Sequence, residues 1–238
     1  MLAARRENDA AIAAWRAGFA AGAEDFDSRI ALGDALLAAG DEAGAEDQYQ
    51  RAKGCWPACT EQASAPELRL ARLYRDQGDR TRAQMEMKTF CNRTARAFTP
   101  RMTLAEFERE AGNRGEEVRY LAECNRIDPF HRELHVRLGE AHEAAGRAAL
   151  AAREYEVAAA VLPIFDRRYL QRGTSRPAVD APEELAERGD LWLRAARLRH
   201  GLGDRARALE LLGRAQREAA GSPAAGTAAE LQQEWRGR

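Results

Sequence analysis

The sequence has no long hydrophobic run and no recognisable targeting segment. A membrane-spanning helix needs a stretch of about 18 or more apolar residues, and none is present. Residues 1–15 mix alanine with charged side chains and lack the apolar core of a secretion signal. We therefore expect a cytoplasmic protein with no membrane partner. A periplasmic or secreted location stays open if the chain is part of a longer protein.

An excess of charge of one sign is also absent. The 238 residues carry 37 Lys and Arg against 38 Asp and Glu, which gives a net charge of -1. Proteins that bind nucleic acid usually carry a basic excess, because Lys and Arg must neutralise the phosphates. The charge balance therefore predicts no nucleic-acid partner.

One segment departs locally from this balance. It begins with basic residues interleaved with aromatic ones, a mixture that can bind phosphate or single-stranded nucleic acid. An acidic run follows at once, so we favour a solvated connector. The residues concerned are Phe165, Arg167, Arg168, Tyr169, Arg172 and Arg176, followed by Glu183, Glu184 and Glu187.

Cysteine is scarce, with four residues in the chain: Cys55, Cys59, Cys91 and Cys124. The first two have the spacing CxxxC, which differs from the CxxC of redox and zinc sites. We expect buried thiols, as is usual for cysteines in a cytosolic protein. One or two disulfides, or a metal site, are the alternatives.

The sequence lacks a catalytic constellation: no phosphate-binding loop and no nucleophile paired with a base stands out. His131 and His135 have a spacing that can hold a metal ion on one helix face. However, HRELH matches neither HExxH nor its inverse, and His135 and His142 fall at positions expected to pack against neighbouring helices. We therefore predict no enzyme activity, no catalytic residue, no cofactor and no metal.

Helical hairpins are what the sequence does contain, and residues 128–163 are the clearest example. Asp128 can cap free helix amides, and the fixed φ of the proline that follows suits a first helical turn. Gly146 suits the left-handed position that ends a helix. Apolar residues recur on one face on both sides of Gly146, which predicts two packed helices. The small Gly139 lets the two backbones approach closely enough for Tyr155 to pack between them.

The same pattern recurs along the chain. A pair made of an apolar and a small residue returns at spacings of 38, 34, 34 and 57 residues, and a glycine follows each small residue seven positions later. One hairpin cannot bury both of its faces, so a series of them is expected to stack. The pairs are Leu32-Gly33, Leu70-Ala71, Leu104-Ala105, Leu138-Gly139 and Ala195-Ala196, and the glycines are Gly40, Gly78, Gly112, Gly146 and Gly203.

This pattern resembles the tetratricopeptide-repeat family, whose units of about 34 residues pair small and large side chains across a helix–turn–helix. The resemblance implies an all-α fold, a right-handed superhelical solenoid that forms a single domain over residues 1–238. The expected repeats are 26–59, 64–97, 98–131, 132–165 and 189–222, with four extra residues at 60–63. A half-repeat over 2–22, an insertion over 166–188 and a capping helix over 223–236 complete the expected arrangement.

In this family the first helices of the repeats line a concave groove that holds peptides, and the resemblance implies such a groove here. Arg72 and Arg75 form its densest basic step, which suits carboxylates. Pairing of these arginines with neighbouring glutamates is the alternative, and the Lys/Asn set that binds chaperone tails is missing. The expected groove residues are Asp34, Leu37, Leu68, Arg69, Arg72, Arg75, Met102, Glu106, Arg109, Val136, Glu140, Glu143, Leu193, Arg197 and His200.

We interpret the chain as a protein-interaction scaffold or adaptor that binds a peptide or protein partner in this groove. Affinity would come from apolar positions such as Leu68, Met102 and Val136, and charge pairs would fix the orientation of the partner. Two alternatives stay open. The chain is then either the repeat tail of a larger bacterial enzyme, or a self-assembling module that forms a homo-oligomer through its half-repeat.

Overall fold

A computed structural model describes residues 2–166, 175 and 177–237, with side chains from residue 6 onward. Every regular element in these ranges is an α-helix, which confirms the all-α prediction. The helices are α1 (Leu2–Ala20), α2 (Phe26–Ala39), α3 (Glu42–Cys55), α4 (Pro66–Asp76), α5 (Arg80–Arg93), α6 (Phe98–Glu110), α7 (Arg114–Ile127), α8 (Arg132–Ala144), α9 (Ala148–Ala160), α10 (Pro182–Gly201), α11 (Arg205–Glu218) and α12 (Pro223–Gly237).

These helices fall into two compact units, Met1–Leu104 and Ala105–Arg238, so the division lies inside α6. In the first unit each helix from α1 to α4 packs on the next one in the chain. In the second unit α7 packs on α8, α8 on α9, α9 on α10 and α10 on α11, while α12 covers α10 and α11. Each unit is therefore a stack of helical hairpins.

Aspartate side chains begin several helices. Asp25, Asp41 and Asp79 each accept a hydrogen bond of 2.9 Å from the backbone amide three residues further on. Asp204 does the same at 3.3 Å. These bonds satisfy amides that have no partner within the helix. The amide hydrogen bonds also lower the pKa of Asp25 and of Asp79.

A left-handed glycine follows α2 and α8, as the spacing predicted. Gly40 has a φ of 86° and Gly146 a φ of 69°. In both turns the next amide returns to a carbonyl in the last helical turn: Asp41 donates to Leu36 at 2.9 Å and Arg147 donates to His142 at 2.8 Å. A β-carbon is strained in this conformation, which explains why glycine recurs here in each repeat.

The small residues of the repeat allow aromatic rings to pack between paired helices. A β-carbon at Gly33 would lie 2.5 Å from Cε1 of Tyr49, and one at Gly139 would lie 2.5 Å from Cε1 of Tyr155. Both distances are far below the usual contact between carbon atoms. The first and fourth repeats therefore require glycine at these positions.

Alanine and large aromatic residues together form the core of the second unit. One cluster joins α9, α10, α11 and α12, with Tyr155 and Trp192 fully buried within it. Small side chains bring the helix backbones close, and the rings fill the space that is left. Trp235 of α12 belongs to the same cluster, so the last helix covers the end of the second unit.

α10 begins at Pro182, within the range expected as an insertion, and continues without a break into the last repeat. The structure corrects one expectation about this region. Glu184 is not solvated as the acidic run suggested, because it is 1% exposed and forms a bidentate ion pair with the fully buried Arg132, at 2.6 and 2.7 Å. This pair fixes the first turn of α10 to the start of α8.

The rest of the basic segment mostly lies outside the described residues. This applies to Arg167, Arg168, Tyr169, Arg172 and Arg176. Phe165 is described, and its exposed ring lies 6.4 Å from the ring of Phe130.

The four cysteines carry thiols, and only three of them are buried as expected. Cys59, Cys91 and Cys124 are buried, whereas Cys55 is exposed at the end of α3. The expectation of a buried thiol is therefore wrong for Cys55. Within the part of the chain that the structure describes, no helix combines the length and apolarity needed to cross a membrane.

Candidate functional site

The first unit contains a pocket of about 620 Å³ on the face formed by α2 and α4. Leu37 and Leu68 provide apolar surface, and Arg69 and Arg72 provide positive charge. Its volume lies within the range of about 300 to 1,000 Å³ that is usual for ligand pockets. Besides the four residues already named, Asp34, Ala38, Tyr49, Gln62 and Ala63 line the pocket.

One wall of this pocket comes from the four-residue insertion between the first two repeats. Gln62 and Ala63 belong to that insertion, and both line the pocket. The carbonyl oxygen of Ala63 accepts a hydrogen bond of 2.8 Å from Nη1 of Arg69. The insertion therefore has a defined place beside the first helices.

A smaller pocket of about 170 Å³ continues from the first one. The two pockets share Gln62, Leu68 and Arg72. Arg75, Met87, Thr99, Pro100 and Thr103 complete the lining of the smaller pocket. An extended segment that crossed both pockets would meet apolar side chains, three arginines and two threonines.

Asp34 lies between a tyrosine and an arginine at the edge of the larger pocket. The hydroxyl of Tyr49 donates to Asp34 Oδ1 at 2.8 Å. Arg69 donates to both carboxylate oxygens, from Nε at 2.8 Å and from Nη2 at 3.0 Å. Burial and the hydrogen bond to Asp34 raise the pKa of Tyr49, so its hydroxyl stays protonated and keeps donating. The charge of Arg69 is therefore compensated within the protein.

The second unit contains the same combination of side chains. The hydroxyl of Tyr155 donates to Glu143 Oε2 at 3.0 Å, and Nε of Arg194 donates to the same oxygen at 3.1 Å. The guanidinium of Arg194 also lies 4.4 Å from the centroid of the Tyr155 ring. This arginine was not among the expected groove residues.

Three pairs of an acidic residue with an arginine follow a fixed register, which we call the inter-repeat ladder; the pair of Glu143 with Arg194 is outside it. An acidic residue directly after the small residue of one repeat pairs with an arginine two positions before the small residue of the next. The pairs are Asp34 with Arg69 at 2.8 Å, Glu106 with Arg137 at 2.8 Å, and Glu140 with Arg194 at 3.6 Å.

One step of the ladder is missing, between the second and third repeats. Arg72 follows the small residue Ala71, where the other steps have an acid. Thr103 stands two positions before Ala105, where the other steps have an arginine. Arg72 and Thr103 both line the smaller pocket, so this pocket lies at the gap in the ladder.

Some of the expected groove residues line the two pockets, and the others do not. Leu37, Leu68, Arg69, Arg72 and Arg75 line the two pockets of the first unit. Met102 is half-buried on α6 and is not among the lining residues of these pockets.

The remaining expected residues lie in the second unit. Glu106 pairs with Arg109 and Arg137, and Glu140 and Glu143 pair with Arg194. Val136 is half-buried against the core cluster and Arg197 is exposed. The expectation for Leu193 is wrong because this side chain is 4% exposed within the core. His200 stacks on Trp235 with a centroid distance of 4.0 Å.

Sequence reasoning missed the contributions of Gln62, Ala63, Thr99, Pro100 and Thr103. The first two belong to an insertion, for which the repeat pattern gives no register. A comparison of the residue after each small residue would have revealed the gap in the ladder, since Asp34, Glu106 and Glu140 contrast with Arg72.

The three clustered histidines have structural contacts. His131 begins α8, and its Nδ1 lies 3.3 Å from the amide of Leu134. His135 contacts Glu154 at 2.7 Å and the carbonyl oxygen of Pro129 at 2.9 Å. Burial lowers the pKa of His142. Over the described ranges, no group of three or more His, Cys, Asp or Glu side chains is arranged to hold a metal ion.

Comparisons with known proteins define the fold. No protein-family model matches this chain, and no curated protein matches it. Three solved structures show what it is similar to. The MamA protein superposes with a TM-score of 0.50 at 16% identity, over 81% of this chain and 91% of its own. YrrB, described as a TPR protein with an unusual peptide-binding site, superposes with a TM-score of 0.53 at 13% identity, over 91% of this chain and 98% of its own. A chain of the Naa15/Naa10 complex bound to HypK-THB superposes with a TM-score of 0.59 at 15% identity, over 95% of this chain and 31% of that one.

The stacked hairpins thus define an α-helical repeat protein. The fold is similar to that of YrrB, a TPR protein, so the resemblance drawn from the glycine and alanine spacing is confirmed for the fold.

Proposed function

We propose that this chain is a protein-interaction scaffold that binds an extended peptide segment of a partner in the two connected pockets of the first unit. The observation that carries this proposal is that the two pockets, about 620 and 170 Å³, share the lining residues Gln62, Leu68 and Arg72. A groove of this kind suits a peptide, because neighbouring side chains of the peptide occupy successive pockets.

The composition of the pockets supports a peptide rather than a compact apolar ligand. Leu37, Leu68 and Met87 offer separate apolar contacts, which would supply most of the affinity. Polar side chains lie between these apolar contacts and would fix the register of the peptide. They are Gln62, Arg72 and Thr103. The fold of YrrB, described as having a peptide-binding site, is consistent with this use of the repeats.

The expected groove residues of the second unit form a separate candidate surface of that unit. Arg109 and Arg197 are exposed, and Val136 is half-buried. Glu106, Glu140 and Glu143 would have to exchange their arginine partners for groups on the ligand. We therefore expect the main contribution to binding from the first unit.

Selection of peptides from a random library displayed on phage tests this proposal. Peptides that the purified protein selects are synthesised, and their Kd is measured by calorimetry against the wild type and Leu68→Asp. Because Leu68 lines both pockets, the substitution should weaken binding at least about tenfold.

Leu150→Asp provides the matched control, since Leu150 is an exposed leucine on α9 outside both pockets. This variant should bind as tightly as the wild type. Circular dichroism of both variants establishes that the helices are intact. Equal binding by Leu68→Asp and the wild type would contradict the assignment of the site.

A further inference from the structure

The gap in the inter-repeat ladder leaves two arginines without a close carboxylate. The side chain of Arg72 is 74% exposed and that of Arg75 is 51% exposed. Asp76 lies 3.9 Å from Arg72 and 3.6 Å from Arg75, distances beyond those of a charge-assisted hydrogen bond. Among the described residues, one exposed carboxylate thus faces two guanidinium groups.

Arg69, on the same helix, does have a close carboxylate partner. Arg69 is only three residues away on α4, yet both oxygens of Asp34 bind it at 2.8 and 3.0 Å. Arg137 and Arg194 also have an acid from the preceding repeat. Three steps of the ladder have a carboxylate paired with an arginine. The step between the second and third repeats has Arg72 and Thr103 at the corresponding positions.

The smaller pocket has the groups that an acidic side chain needs. Its lining includes Arg72 and Arg75, whose guanidinium groups donate hydrogen bonds to carboxylates. Thr103 also lines it, with its hydroxyl donating to the carbonyl oxygen of Thr99 at 3.2 Å. Leu68, Met87 and Pro100 offer apolar surface for the methylene groups of the same side chain. The pocket therefore combines positive charge with a place for a short aliphatic stem.

We propose that the pocket at the ladder gap binds the carboxylate of an internal Asp or Glu of an acidic peptide. The ligand then supplies the acid that is missing from the ladder between the second and third repeats, and Arg72 and Arg75 bind it. This inference rests on the proposed function, since it names the chemistry of the peptide that the first unit takes. A carboxylate is favoured over a phosphate because carboxylates pair with arginine at the other three steps.

A peptide selection with three proteins tests this inference. The library is displayed with both peptide ends blocked by fusion, so that a terminal carboxylate cannot be the ligand. The wild type should enrich Asp and Glu. Arg72→Glu/Thr103→Arg completes the ladder with an internal ion pair and should lose this enrichment. Arg51→Gln is the control, because Arg51 is an exposed arginine of the same unit outside both pockets, and it should enrich Asp and Glu as the wild type does.

A matched pair of peptides gives the size of the effect. Replacement of the enriched Glu by Gln should weaken binding by the wild type about 10- to 100-fold, as expected for the loss of a charged hydrogen-bond partner. Arg72→Gln/Arg75→Gln should bind the two peptides equally. A phosphoserine peptide of the same sequence that bound more tightly than the Glu peptide would overturn the choice of carboxylate.

The outcomes separate this inference from the proposed function. Selected peptides that are sensitive to Leu68→Asp but show no acidic enrichment would overturn the inference and leave the peptide site standing. Selection of no peptide by the wild type would contradict both. Acidic enrichment that survives in Arg72→Glu/Thr103→Arg would place the carboxylate elsewhere and overturn the inference.

Discussion

The ring of Tyr155 occupies the space that a side chain at residue 139 would need. A β-carbon on Gly139 would lie 2.5 Å from Cε1 and 2.7 Å from Cζ of that ring. The tyrosine is fully buried, and its hydroxyl donates to Glu143 at 3.0 Å. The ring cannot withdraw without leaving its place in the core or losing this bond. The close approach of α8 and α9 therefore depends on the absence of one methyl group.

Gly139→Ala should destabilise the protein by about 1 to 3 kcal/mol, the usual cost of an overpacked core. The measurement is the free energy of unfolding in urea. Gly18→Ala is the control, because a β-carbon at Gly18 of α1 meets no atom within 4 Å. That variant should gain up to about 1 kcal/mol, since alanine favours a helix more than glycine does. Equal stability changes in the two variants would contradict the packing described.

Arg132→Met should destabilise the protein by about 3 to 5 kcal/mol, because it removes both close hydrogen bonds of the buried Glu184 and leaves it only Arg188, at 3.9 Å. The double variant Arg132→Met/Glu184→Met should recover part of this loss, since both charges are then removed. Thermal and urea unfolding measure both variants. A loss below about 1 kcal/mol in the single variant would mean that Glu184 reaches water, contrary to its 1% exposure.

His142 should make the stability depend on pH. Burial lowers its pKa below the ordinary value of 6.5, so the unfolded chain binds a proton more readily than the folded one. The contribution of neutral His142 is therefore complete above pH 6.5 and is lost as the pH falls below 6.5 towards the folded pKa.

The variant His142→Phe keeps an aromatic ring and removes the titration. The loss of stability between pH 7.5 and pH 5.5 should be smaller in this variant than in the wild type. Urea unfolding at both pH values measures the difference. A parallel decline in the two proteins would show that His142 is not responsible.

The thiols should react in two classes. After reduction, Cys55 should react rapidly with a disulfide reagent in the folded protein, because it is exposed. Cys59, Cys91 and Cys124 are buried and should react only when the protein unfolds. One fast equivalent in native buffer and four in denaturant is the expected count. Loss of the fast equivalent in Cys55→Ser assigns it, and more than one fast equivalent in the wild type would contradict the burial described.

The sequence predicted the fold because the repeat is a local pattern. Gly139, Gly146 and Tyr155 lie within one hairpin, so their spacing reports directly on the turn and on the contact between its two helices. By contrast, Arg132 and Glu184 are 52 positions apart, across a segment that follows no repeat. No periodic signal connects them, and the acidic run around Glu184 resembled a solvated surface.

The candidate site was predicted only in part for a related reason. The repeat register places Leu68, Arg72 and Arg75 on the exposed side of a first helix, and all three line the pockets. Gln62 and Ala63 belong to an insertion, whose path depends on contacts such as the hydrogen bond between Ala63 and Arg69. The charges of Glu140 and Glu143 were readable from the sequence, but their pairing with Arg194 was not, because the repeat pattern does not show which charged side chains of neighbouring repeats meet.

The most direct test of peptide binding in the first unit is the NMR spectrum of protein with ¹³C-labelled methionine methyl groups. Met87 is 6% exposed and lines the smaller pocket, while Met85 on the same helix is 56% exposed and lines neither pocket. Titration with a selected peptide should shift the Met87 methyl resonance and leave that of Met85 unchanged. A shift of Met85 alone, or no shift of Met87 at saturation, would contradict a peptide site between the first helices of this unit.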